Sequence, residues 1–145
     1  MDRVALLAYV GSLVILFCKG FVVTLVQGKV RFASRTFRWP EDAGEWRGSA
    51  AEGPEHETIE RAQAALRNDG ETQPFFYVFG GLWVVLGVPG GVALGVLVAY
   101  ALARCAHSFF LLRPKQPLRN RAFAVGQLLL MAIIVDVTRR ALGAL

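Results

Sequence analysis

Cysteine is scarce in this 145-residue chain, and the two present, Cys18 and Cys105, lie in different apolar stretches with no CxxC spacing. That pattern supports neither a thiolate metal site nor a redox pair, so no metal ligands are assigned and both thiols are expected to be buried. There is no internal repeat and no low-complexity tract. The glycine-rich stretch "GGLWVVLGVPGG" lacks the lysine and hydroxyl residue that complete a phosphate-binding loop, and it falls in an apolar segment. It is therefore read as packing and turn, not as a nucleotide site. A cleavable leader is also missing its marks. No small-x-small pattern follows the first apolar run, Phe17 before Cys18 is too bulky for a lipoprotein site, and "FVVTLV" carries the run onward. The N-terminal segment is expected to be a retained membrane span.

What the chain has in excess is apolar surface. Hydrophobic residues make up 54% of it, with a mean hydropathy of +0.44, against ~45–50% apolar usage in ordinary soluble domains. The excess is grouped into Val4 to Val26, Pro74 to Val88, Gly91 to Leu112 and Ala122 to Val135. A spanning helix needs roughly 20 mostly apolar residues. The first and third blocks suffice alone, and the other two suffice if their polar flanks are helical. The expected architecture is all-α: one domain over 1–145, an integral membrane four-helix bundle with spans near 4–28, 58–88, 91–112 and 118–140. Residues 32–57 form a loop with a short helical turn at "PEDAGEW". Its length is itself a functional hint.

The net charge of +5 follows the same plan. Lys29, Arg31, Arg35, Arg38 and Arg47 lie between the first two blocks, and Arg113, Lys115, Arg119 and Arg121 between the last two, whereas "GVPGG" carries no charge. Both basic connections then fall on one side, which the positive-inside rule makes cytoplasmic. Orientation accounts for the basic excess, and no nucleic-acid partner is required. In the third block Gly91, Gly95, Ala99 and Ala103 recur every fourth residue, a stripe expected to let helices approach closely.

One stretch strains this plan. "ERAQAALRNDGETQPFF" carries ionisable groups straight into an apolar run. If one helix continues through it, Glu60, Ala64, Arg67 and Glu71 share a face, with Arg61, Asn68 and Thr72 beside them. Ionisable groups at the hydrocarbon edge are costly and usually face a bundle interior or cavity. Lys19, Arg104, His107, Arg119, Asn120 and Gln127 supply polar groups from the other blocks, with Arg104 a candidate partner for an acid such as Glu71. Together they describe a cationic pocket suited to a small anion that also carries an amine, since arginine grips carboxylates bidentately.

These residues carry a resemblance. "ERAQAALRNDGETQPF", "GKVRFASRTFRWPEDA", "ARCAHSFF" and "PLRNRAFAVGQ", spread over about residues 19 to 128, resemble the family of membrane-associated proteins in eicosanoid and glutathione metabolism, MAPEG, most of all its prostaglandin E synthase and glutathione transferase branches. The resemblance implies a homotrimer of four-helix bundles, with glutathione bound between subunits near the cytoplasmic face. It implies ligand contacts from Arg67, Asn68, Glu71, His107 and Arg119, with Gln127 nearby and Arg31 reaching in from a neighbour. Arg119 is expected to hold the sulfur as thiolate. Asn120 and Asp42 stand at further positions tied to catalysis in the family.

The chain also departs from the prostaglandin synthase pattern. Asn120 stands where that branch has a serine, Leu111 and Phe123 where it has tyrosines, and Ala64 where it has an arginine. "AFAVG" is nearer the transferase branch. The expected function is a glutathione-dependent enzyme that conjugates or reduces hydrophobic electrophiles or lipid hydroperoxides arriving from the membrane. The alternatives are an endoperoxide isomerase, a non-catalytic lipid-binding scaffold, or a small transport subunit using Lys19, Glu71 and Arg104 as a relay. The compartment is a bacterial inner membrane or the endoplasmic reticulum, with the site facing the cytoplasm.

Overall fold

The structure, a computed structural model, describes residues 1–143. Its first helix, α1 (Arg3–Ser34), starts where the Asp2 carboxylate accepts from the backbone N–H of Val4 at 2.7 Å and of Ala5 at 3.2 Å. Such caps satisfy donors that a helix start leaves open. The helix stops at Arg35, which adopts the left-handed conformation at φ 53°. A short connection follows: β1 (Thr36–Phe37), α2 (Pro40–Glu45) and β2 (Ser49–Ala50), with the two strands paired in parallel. Pro40 opens α2, where its missing N–H costs nothing. The helical turn expected at "PEDAGEW" is α2, while the strand pair is additional to an otherwise all-helical chain.

α3 (Glu57–Val85) is one continuous helix. His56 Nδ1 accepts from the Thr58 N–H at 3.1 Å, and Glu57 and Glu60 lie in its first turn, where acids complement the positive end of the helix dipole. Asp69 and Gly70 form no turn; the helix passes through them and through Pro74. Pro74 cannot donate to the carbonyl four residues earlier, and that residue is Gly70. α4 (Gly90–Leu112) and α5 (Gln116–Leu142) complete the fold.

The connections set the directions. Gly87, at φ +78°, makes the turn between α3 and α4. The first N–H of α4, on Gly90, donates to Asp2 at 3.0 Å, so one carboxylate fastens the starts of α1 and α4 together. α3 runs antiparallel to both. The Tyr9 hydroxyl donates to the Tyr77 carbonyl at 2.6 Å, and a Cβ at neighbouring Gly80 would lie only 3.1 Å from the Tyr9 ring. Phe76 of α3 stacks on Tyr100 of α4 with centroids 4.0 Å apart. The core around them includes Leu16, Val84, Leu97, Leu130 and Ile133. At that end Asp136 of α5 accepts from Trp83 Nε1 at 2.8 Å and pairs with Arg139 and Arg140, and Arg140 also reaches the Gly87 carbonyl.

α1, α4 and α5 are each long and apolar enough to cross a membrane. α3 is of similar length, but its first half is polar. Large apolar side chains such as Leu7, Phe17, Phe21, Leu25, Leu102, Leu128, Met131 and Val135 face outward. That extent of exposed hydrocarbon suits lipid contact, not water.

Two expectations need correction. The stripe Gly91, Gly95, Ala99 and Ala103 packs helices of this chain only at its far end, where Ala103 meets Gly126 of α5: Gly91 and Gly95 are exposed, and a Cβ on either would meet nothing within 4 Å. A four-residue step drifts about 40° per repeat on a 3.6-residue helix, so the buried face of α4 follows Ala93, Leu97, Tyr100, Ala101 and Arg104 instead. The cysteines are not both buried either. Cys18 is exposed and Cys105 half-buried. Both line an apolar groove of about 440 Å³ between α1 and α4.

Candidate functional site

The buried face of α3 reads Ile59, Ala62, Ala65, Asp69, Thr72, Gln73, Phe76. Asp69 occupies a core position on this face, following the apolar Ile59, Ala62 and Ala65. Two cations meet it. Lys19 of α1 donates to Asp69 Oδ2, and Arg104 of α4 donates from Nη2 to Asp69 Oδ1 at 2.7 Å. Arg104 is 0% exposed, and the side chains of Lys19 and Asp69 are 6% and 9% exposed. A buried charge is tolerable only when paired and hydrogen-bonded. Here one carboxylate serves two cations, which leaves the cluster with a net positive charge. Gly126 of α5 packs against the arginine stem, where a Cβ would lie 3.4 Å from Arg104 Cδ.

The acid that pairs with Arg104 is thus Asp69. Glu71, two residues on, points away from the bundle and is exposed. A shift of two residues on a helix moves a side chain about 200° around the axis, so neighbouring acids have opposite fates. The apolar spacing before Asp69 was the available signal, because continuing the series Ile59, Ala62, Ala65 predicts a buried residue at 69.

The same Arg104 Nη2 donates to Asn68 Oδ1 at 2.5 Å. Asn68 is where the buried cluster reaches a surface cavity of about 300 Å³, lined by Ala64, Asn68, His107, Leu111, Arg119, Asn120 and Phe123. Three helices build it. α3 contributes Ala64 and Asn68, α4 contributes His107 and Leu111, and the first turns of α5 contribute Arg119, Asn120 and Phe123. His107 is buried, and its ring centre lies 5.6 Å from that of Phe123. The lining is mixed: a guanidinium, two amides and an imidazole beside apolar walls.

Of the residues picked out from the sequence, the fold therefore gathers Asn68, His107, Arg119 and Asn120 around one cavity. Arg67 and Glu71 lie on the exposed side of α3, and Gln127 is half-buried further along α5. Asp42 is exposed in α2. Arg31 is engaged within its own chain: its Nε and Nη2 donate to Glu55 Oε1 at 3.2 and 2.8 Å. Glu55 also accepts from Gln63 Nε2 at 2.5 Å and lies 4.0 Å from Arg38. Burial alone would raise the Glu55 carboxyl, but the bonds from Arg31 and Gln63 outweigh it and hold it below the ordinary glutamate range.

Comparison with known proteins shows the family of the chain. A family model described as the MAPEG family matches residues 9–138. Prostaglandin E synthase of Homo sapiens is 30% identical over 133 residues, covering 88% of this chain and 84% of the human protein. The Equus caballus prostaglandin E synthase is 31% identical over 125 residues, covering 86% and 81%. The Bos taurus protein of the same name is 30% identical over 129 residues, covering 88% and 84%.

Proposed function

The chain belongs to the MAPEG family, and we propose that it is a glutathione-dependent membrane enzyme that transfers glutathione to, or uses it to reduce, hydrophobic electrophiles or lipid hydroperoxides. The observation that carries this reading is the cavity that places Arg119 beside Asn68, His107 and Asn120. Its donors fit an anionic peptide, and the net positive cluster directly behind Asn68 adds to the attraction for negative charge. Glutathione, when bound, brings a thiol whose conjugate base is the nucleophile.

Arg119 stabilises that base. A guanidinium next to a thiol favours the thiolate and so lowers the thiol pKa. Asn68 and Asn120 offer amide N–H groups that orient a carboxylate or hold the sulfur. Asn120 cannot lose a proton, so its part is donation. His107, buried against Phe123, closes the inner wall.

A four-span homotrimer, cytoplasmic in its loops, belongs to the same proposal. α3 becomes the fourth span when its polar half is shielded by neighbours. The exposed Arg67 and Glu71 would then face another subunit, and Arg31 would reach a neighbouring cavity after leaving Glu55. Glu71 is suited to the amine of the ligand, and Asp42 to a role in the loop that covers the site.

A prostaglandin-E-synthase-like isomerase is the second reading, favoured by the similarity to proteins of that name. Against it, the departures Leu111, Asn120 and Phe123, and Ala64 as well, all line the cavity. The chain thus differs from that branch at the place where ligands would be distinguished. The non-catalytic scaffold has no use for the clustered thiol-stabilising groups.

The test is titration of the detergent-purified protein with glutathione, following heat for binding and ultraviolet difference absorbance for thiolate. Saturable binding with a thiolate signal that disappears in Arg119→Ala supports the enzyme. A thiolate signal undiminished in that variant removes Arg119 from the mechanism, and no binding by the wild type favours the scaffold.

A further inference from the structure

We propose that Lys19, Asp69 and Arg104 are positioning residues that lock the Asn68 amide with its N–H donors toward the cavity, making this wall selective for acceptor groups such as carboxylate or thiolate. The inference rests on the glutathione reading of the cavity and adds to it a set of residues that touch no ligand.

The geometry is specific. A guanidinium Nη carries two hydrogens. At Arg104 Nη2 they have two acceptors, Asn68 Oδ1 at 2.5 Å and Asp69 Oδ1 at 2.7 Å. The other Asp69 oxygen is taken by Lys19. Arg104 therefore cannot rotate without abandoning both bonds, and Asp69 cannot follow it without abandoning Lys19. Three helices contribute one member each, so the lock is set by how α1, α3 and α4 pack.

The consequence falls on Asn68. Its carboxamide has one accepting and one donating arm. With Oδ1 directed at Arg104, Nδ2 is the arm left for the cavity that Asn68 lines. Next to it stand Arg119, which has donors only, and His107. An acceptor on the ligand finds donors here, whereas an amine finds no complementary oxygen from Asn68. A free asparagine could flip to suit either, and a locked one discriminates.

Substitutions at 68 and 104 test this by glutathione affinity measured calorimetrically on the detergent-purified wild type and variants. Asn68→Asp keeps a partner for Arg104, so it should fold, but it presents an oxygen where the wild type presents N–H. Affinity should fall in the order Asn, Ala, Asp at position 68. Arg104→Met, which cannot donate, should weaken binding about tenfold, as loss of a buried hydrogen-bond partner does, while Arg104→Lys, a point donor without the planar fork, restores only part of it. In the Asn68→Ala background Arg104→Met should cost nothing further, because the group it positions is gone. Equal losses from Arg104→Met with and without Asn68, or Asp tolerated at 68 as well as Asn, would overturn the lock. Failure of the wild type to bind glutathione overturns the functional reading, and this inference with it.

Discussion

Replacing Asp69 with Asn should destabilise the protein more than any other single change of similar size. The substitution preserves volume and removes one negative charge. It leaves Lys19 and Arg104, whose side chains are 6% and 0% exposed, facing each other with no counter-ion. Breaking a buried pair by removing one partner costs about 3–5 kcal/mol, because the remaining charge stays desolvated. At about 2–4 °C per kcal/mol for a domain of this size, the melting temperature should drop by roughly 6–20 °C. Thermal melts of the detergent-solubilised protein, read by helical circular dichroism, provide the measurement. The comparison that isolates the cause is Lys19→Met combined with Asp69→Asn. Removing one of the two orphaned cations should recover part of the loss, so the double variant should be more stable than Asp69→Asn alone. A drop of less than about 2 °C for Asp69→Asn, equivalent to under about 1 kcal/mol, would mean that water or rearrangement solvates these cations and that the cluster is not the buried ion network described here. A double variant less stable than the single one would refute the same reasoning by another route.

Other predictions concern the helix starts, the loop and the ligand amine. Gly90→Ala should destabilise by about 1–3 kcal/mol, because its Cβ would lie 2.6 Å from Asp2 Oδ1 and 2.8 Å from Val4 Cβ. Gly91→Ala, one residue on, meets nothing within 4 Å and should be neutral or stabilising by up to about 1 kcal/mol, as a helix gains from alanine over glycine; a pair of melts settles both. The Glu55 carboxyl lies below its unfolded value in the folded chain, so its contribution is present above the unfolded pKa and is lost as pH falls through the folded one. Limited proteolysis of the 35–56 loop should therefore accelerate on acidification below about pH 4.5, and Glu55→Gln should be cut readily at neutral pH. Glu71→Gln should weaken glutathione binding with no change in melting temperature, since the side chain is exposed; an unaltered affinity would leave Glu71 without a role at the ligand amine.

Much of this architecture is carried by local pattern. Long apolar blocks force helices because a backbone in hydrocarbon must satisfy its own hydrogen bonds. Capping and breaking residues then place the ends: Asp2 begins α1, Pro40 begins α2, and Gly87 with Pro89 divides α3 from α4. The polar stretch from Glu60 to Thr72 is legible as part of one helix because its neighbours are helix formers, and the Asp-Gly pair inside it does not interrupt them. The same stretch supplies Asn68, while His107, Arg119 and Asn120 belong to the later motifs "ARCAHSFF" and "PLRNRAFAVGQ", and the fold brings all four around one cavity.

Which acid is buried could not be decided by composition. Asp69 and Glu71 are chemically alike; the spacing of Ile59, Ala62 and Ala65 marks position 69 as buried, but that Lys19 and Arg104 meet it there depends on how α1 and α4 pack against α3. Likewise Arg31 is a cation in either description, but its pairing with Glu55 depends on how the loop folds back across residues far apart in the chain. The sequence by itself determined the long helices and the inventory of polar groups, because those follow from interactions within a few residues. Only the tertiary structure decided which groups pair, since pairing requires one carboxylate to lie between cations from two other helices, and no local pattern encodes that convergence.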